Sequence, residues 1–292
     1  MRNAALTVLV GSLALAVALI GATAGHSAST KRAAACQKGG LDTVSDGKLT
    51  IGTDNPAYPP WFGGGSPKGS KWQINDPSTG EGFESAVAYA VAKQLGFSKS
   101  QVDWTYVPFN RSFSPGKKSF DFDINQISIT PARAKVVDFS SPYYDVNQAI
   151  VVLKGKPIAK AKTVAALQKY KLAAQLGTTS YDFIKNTIKP SRSPSVFPQN
   201  AAAIQALKNG QIDGIVVDLP TAFYVTAVQV QNGTILGQFA ATSGEHFGMV
   251  LAKGSALTSC VDKAIAALKA NGSLQRIQRQ WLAKATGAPI LK

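Results

Sequence analysis

The chain has 292 residues and a formal net charge of +15, from 31 Lys and Arg against 16 Asp and Glu. Its lysines are scattered along the chain, without a basic stripe or stacked aromatics, which argues against a nucleic-acid partner and for diffuse attraction to an anionic envelope. The sequence lacks the patterns of a zinc site, a nucleophile elbow or a nucleotide loop, so no cofactor, no metal and no catalytic residue is expected.

Arg2, an apolar run from Ala4 to Ile20 and then Ala22-Thr23-Ala24 form an export signal over 1–24. The run is too short and too alanine-rich for a comfortable membrane span. The mature protein is therefore expected in the periplasm or on the outer face of the cell membrane, as a monomer. A polar leader follows over 25–46, and about 250 residues remain, enough for two lobes with a core each. Cys36 and Cys260 are the two cysteines. In an oxidising compartment they are expected to pair, worth about 4 kcal/mol in the chain-entropy model. The alternative is a lipid anchor at Ala34-Ala35-Cys36, which would leave Cys260 unpaired.

Alternation of Leu49 and Ile51 predicts a strand in KLTIGT, followed by the Pro-rich aromatic loop from Asn55 to Phe62. The glycine-rich stretch 63–81 is an irregular loop. Its GGGSPKGSK only superficially resembles a phosphate loop, since Lys68 precedes Gly69 instead of following it. Phe83, Val87, Ala90, Val91 and Leu95 fall at helical spacing. QVDWTYVPF is a strand, and Phe120 to Ile129 leads to a turn carrying Arg133. Beyond Gln148 the pattern alternates: strand AIVVLK, helix Thr163 to Tyr170, strand KLAAQL, helix Ser180 to Asn186, a short strand at Phe197, helix Ala201 to Asn209, strand GIVVD. Strands separated by helices imply parallel sheets, with ligand crevices at the strand C-terminal ends. FGMVLAK is the next strand. A helix bearing Leu257, Val261, Ile265 and Leu268 is broken at Asn271-Gly272, and Leu274, Ile277 and Trp281 mark the final one.

Three short motifs carry chemistry. Thr130 can cap a helix beginning at Pro131, placing the Arg133 guanidinium beside the amides of Ser128 and Thr130, a donor set for a small carboxylate. Capping of its own loop is the plainer reading of that arginine. Gly177-Thr178-Thr179-Ser180 joins a strand to a helix and offers a second anion donor, or an ordinary cap. Asp218 ends GIVVD, facing the crevice and suited to an ammonium, or capping the helix that starts at Pro220. Together they match the two ends of a zwitterionic amino acid.

GTDNPAYPPW, GFESAVAYAVAKQL, SITPAR, GTTS, ALKNGQIDGIVVD and LKANGSLQRIQRQWL make the chain, from about Gly47 to Leu282, resemble the family 3 extracellular solute-binding proteins, amino-acid receptors of ABC importers. That resemblance implies an α/β, two-lobed periplasmic-binding-protein-like fold with two hinge crossings and a ligand cleft between lobes. It implies that Arg133, Ser128 and Thr179 hold the ligand carboxylate, Asp218 its ammonium, and that aromatics at Tyr58 and Phe83 sandwich it. Two departures stand out. Glu84-Ser85-Ala86 replaces a D-x-D pattern, and Asn125-Gln126 stand where serines are frequent, so Gln126 should reshape the pocket. Asp54, Trp61, Trp72, Glu84 and Thr178 complete the candidates, with aromatic packing the plainer reading for both tryptophans and helix-start charge for Glu84.

The expected crossings lie near Tyr144 to Gln148 and Thr242 to His246. They make lobe 1 discontinuous, 47–146 and 243–292, and lobe 2 147–242. The expected function is capture of a small polar amino acid and its delivery to an ABC transporter permease, with membrane association only through that permease or a lipid anchor. The alternatives are an exported dehydratase-type enzyme on the same scaffold and a sensory receptor.

Overall fold

The computed structural model describes Met1 and residues 36–239, 244–283 and 287–291. Residues 2–24 of the export signal, 25–35 of the leader, and Thr242 and Ser243 of the second expected crossing lie outside the described residues. In chain order the strands are β1 (Leu49–Thr53), β2 (Val102–Tyr106), β3 (Phe122–Asp123), β4 (Val137–Phe139), β5 (Tyr144–Val146), β6 (Gln148–Leu153) and β7 (Leu172–Gln175). They continue with β8 (Ser195–Phe197), β9 (Gly214–Asp218), β10 (Gly233–Phe239), β11 (Glu245–Phe247), β12 (Val250–Ala252) and β13 (Ile290–Leu291).

One sheet has the order β2-β1-β3-β12-β4 and a second β13-β10-β6-β9-β7-β8. Each is the floor of one lobe. β1 is buried along its whole length in the first sheet. The helix Phe83–Gln94 lays Phe83, Val87 and Val91 onto that lobe's core, as their spacing predicts. It starts at Gly82, where φ is +91° and a Cβ would lie 2.4 Å from the Phe62 Cα, so only glycine fits. Helices Thr258–Ala270 and Ser273–Leu282 add Val261, Ile265, Leu268 and Leu274 to the same core. In the second lobe the sheet is covered on both faces, by Ile204, Leu207 and Val225 on one and Ile158, Leu167 and Ile184 on the other.

The lobes meet at β5 and β11, which pair antiparallel with Glu245 opposite Val146 and Phe247 opposite Tyr144. The other edge of β11 is also occupied. Ile129 N–H donates to the His246 carbonyl at 2.9 Å and Gly248 N–H to the Ile127 carbonyl at 3.1 Å. Trp61, Phe83, Tyr144 and Phe247 stack edge-on beneath this junction, with centroid separations of 5.3–6.0 Å.

Several sequence expectations need correction. The sheets are mixed, not parallel: β6 runs antiparallel to β9 and β10, and β12 antiparallel to β3 and β4. The first two chain crossings deliver β6 and β12 from the opposite end of the sheet. Thr163 to Tyr170 gives only a 3-10 turn at Ala165–Leu167, and the helix expected from Ser180 begins at Thr179 and widens into a π-helix over Ile184–Ile188. FGMVLAK divides between β11 and β12. The first lobe does not extend to 292, because β13 leaves it and pairs parallel with β10 of the second sheet. Leu291, opposite Phe239, finds apolar cover there at 6 % exposure, its side chain lying over Gly237, where a Cβ would lie 2.7 Å from the Leu291 Cγ. The chain thus passes between the lobes a third time.

A disulfide joins Cys36 to Cys260, with Cα atoms 5.2 Å apart. A sulfur in that bond carries no lipid, so the anchor alternative at Cys36 does not fit this structure. Reduction, or the double substitution C36S/C260S, is expected to lower Tm by roughly 10 °C, given about 4 kcal/mol for so long a closed loop. Differential scanning calorimetry with and without reductant checks this.

Candidate ligand-binding site

Thr130 caps the turn Pro131–Ala134: its Oγ1 accepts from Arg133 N–H at 3.2 Å. The Arg133 side chain is buried and stacks over Phe113, with the guanidinium carbon 4.2 Å from the ring centroid. Its Nη1 donates to the Ser128 carbonyl at 2.7 Å and its Nη2 to the Gly177 carbonyl at 2.9 Å. One acceptor belongs to each lobe, so the guanidinium spans the junction. Burial lowers its pKa to about 10, with Glu245, Asp182 and Asp218 pulling the other way, and it stays charged at neutral pH. Gly177 has φ +77°, and a Cβ there would lie 2.3 Å from the Asn110 Oδ1 of the first lobe.

Ser128 and Thr179 face each other across the same gap, with hydroxyl oxygens 3.2 Å apart. Both donate to one carboxylate oxygen, Oε1 of Glu245, at 2.6 Å and 2.5 Å. Thr178 caps the helix Thr179–Phe183 through Tyr181 N–H at 3.2 Å and lines the cleft as well.

At the other pole, Asp218 stands at the cap position before Leu219–Tyr224, yet its carboxylate turns into the cleft and accepts from Gln148 Nε2 at 2.7 Å. The same Nε2 reaches the Glu245 Oε2 at 3.0 Å, and Gln148 Oε1 accepts from the Ser180 hydroxyl at 2.6 Å. Burial, then the neighbouring Glu245, push Asp218 well above the usual carboxylate range. Asp54 lines the cleft too and is raised by burial, while Asn55 N–H holds its Oδ1 at 2.8 Å. Tyr58 forms part of the wall, its ring 6.1 Å from that of Tyr224 across the gap.

Four expected site residues sit elsewhere. Phe83 is wholly buried, packed on Trp61, Tyr143 and Tyr144, so it does not sandwich a ligand; Phe62 and Phe109 are the phenylalanines in the cleft wall. Trp61 lies beneath the cleft and sends its indole N–H to the Thr221 hydroxyl of the second lobe at 3.1 Å. Glu84 is buried under Gln126, which lines the cleft at φ +50°; Glu84 accepts from Gln126 N–H at 2.7 Å, from the Gln126 side-chain amide and from the Tyr143 hydroxyl. Trp72 packs in the first-lobe core. The sequence reading missed Gln148 and Glu245. Gln148 precedes the expected strand AIVVLK and closes the first expected crossing, and Glu245 becomes visible only through the pairing of 127–129 with 246–248.

A profile of the bacterial extracellular solute-binding proteins, family 3, matches residues 49–284. The chain belongs to that family. It is 30% identical over 215 residues to the ABC transporter glutamine-binding protein GlnH of Bacillus subtilis (strain 168), covering 72% of this chain and 76% of GlnH. It is 29% identical over 257 residues to the L-cystine-binding protein TcyJ of Escherichia coli (strain K12), covering 87% and 89%. Among solved structures, an ancestral arginine-binding protein bound to glutamine superposes with a TM-score of 0.66 at 30% identity, over 80% of this chain and 97% of that one. These likenesses agree with the two-lobed fold.

Burial raises Glu84 from its ordinary 4.5 to about 7, and Asp123 and Asp218 rise well above 3.8 for the same reason. Between the two Glu84 values the folded protein keeps a proton that the unfolded chain releases. This contribution to stability is therefore full below pH 4.5 and lost as pH rises through 7. Thermal unfolding is expected to show Tm falling over that interval, with Glu84→Gln removing a share on the order of 3 kcal/mol. A Glu84→Gln profile as steep as wild type would contradict the assignment.

Proposed function

We propose that this solute-binding protein is exported, captures a free small polar amino acid between its lobes and delivers it to an ABC transporter permease. The observation that carries the reading is the convergence of Ser128 and Thr179 hydroxyls on a single carboxylate oxygen, beside the Arg133 guanidinium and across from Asp218. Hydroxyl donors and a buried cation suit an α-carboxylate, and an acid opposite suits an α-ammonium. Tyr58, Gln126 and Asp54 then face the ligand's side chain, with Thr178 beside the carboxylate end. Because the donors come from both lobes, a ligand held by all of them favours the closed arrangement over any open one. The names of the relatives support an amino acid as cargo.

Thermal shift of protein stripped of bound solute, screened against the amino acids, tests this. The true ligand at about a hundred times its Kd is expected to add roughly 2.7 kcal/mol, and no shift with any amino acid would count against the reading. By calorimetry Arg133→Ala and Asp218→Ala are each expected to weaken that ligand at least about tenfold, since one of its charged ends is left buried without a partner. Incubation with prephenate or arogenate is expected to yield no product.

A further inference from the structure

Glu245 is the unexplained member of the cleft. Its Oε1 takes the Ser128 and Thr179 hydroxyls and its Oε2 takes Gln148 Nε2, so a carboxylate of the protein itself sits on donors suited to the ligand's. Each hydroxyl has one proton to give. A second carboxylate therefore cannot be received by Ser128 and Thr179 while Glu245 stays, and two carboxylates in one desolvated gap repel. Arg133 commits two of its five N–H donors to the Ser128 and Gly177 carbonyls, and those that remain do not free the two hydroxyls for a second carboxylate.

We propose that Glu245 is a built-in competitor for the ligand's carboxylate, and that it thereby sets how strongly the cleft prefers an amino acid over the corresponding carboxylate-free amine. The proposal rests on the amino-acid reading above. Glu245 begins β11, where its backbone is held opposite Val146, and its side chain is half-buried. It can swing outward without breaking the strand pairing. A ligand with a carboxylate has to displace it and lose part of its own binding free energy in doing so. An amine meets Asp218 and leaves the Glu245 contacts with Ser128, Thr179 and Gln148 intact. Glu245 also joins first-lobe Ser128 to second-lobe Thr179, so its departure and the arrival of a ligand carboxylate exchange one tie between the lobes for another.

The test is calorimetry on wild type, Glu245→Ala and Glu245→Gln, each checked for folding by circular dichroism. The probes are L-arginine against agmatine and L-glutamine against 4-aminobutanamide, pairs differing only by the carboxyl group. In Glu245→Ala the amino acid that binds is expected to gain tenfold or more in affinity, while its amine stays within about twofold. Glu245→Gln, which keeps the length and drops the charge, is expected to move the same way by less. Amino-acid affinity that is unchanged or weaker in both variants overturns the proposal, the latter showing that Glu245 holds the ligand itself. Failure of the amino-acid reading looks different: neither wild type nor variants then bind any amino acid.

Discussion

A guanidinium taken out of water needs acceptors on every side it can reach, and Arg133 finds one carbonyl in each lobe. That requirement organises the junction. It fixes the turn after Thr130, holds Gly177 against the first lobe and leaves the hydroxyls of Ser128 and Thr179 aimed at a common point. The Phe113 and Phe109 rings lie against the cation. Polar groups there act at short range in a poorly screened setting, where a misplaced charge is costly.

The parts of this site that local sequence could reveal are those set by local rules. Thr130 before Pro131 signals a cap, and GIVVD before Leu219-Pro220 signals a strand end facing a crevice; both are found. That the Asp218 carboxylate turns into the cleft instead of capping goes with a side chain 70 residues away, Gln148, and no local pattern reports it. Glu245 is harder still, because its place depends on a register between segments 117 residues apart. Phe83 shows the reverse failure. The helical spacing that makes Phe83 part of an apolar stripe also directs it into the core, and the assignment by resemblance overrode that plainer reading.

The fold's two sheets follow from the same limits. Periodicity identified β1, β6, β7 and β9, whose residues are buried on both faces, but not β10, whose burial follows no regular alternation, nor β13, a strand of two residues that pairs along an open sheet edge. Strand direction was beyond reach of any local rule, since it is decided by which end of a sheet the chain enters after changing lobes. The buried acids Glu84, Asp123 and Asp218 share this dependence on distant context, as each is perturbed by walls assembled from separate segments.

Cys36 and Cys260 both belong to the first lobe, and the covalent ring they close, 224 residues in sequence separation, contains the whole of the second-lobe insertion between β6 and β10. A protease that nicks one exposed loop of that insertion cuts the backbone without releasing a fragment. The two pieces would migrate as one species until a thiol is added. Such a ring preserves a damaged but assembled molecule, and it places survival of the two-lobed fold in the hands of a bond far from the cleft.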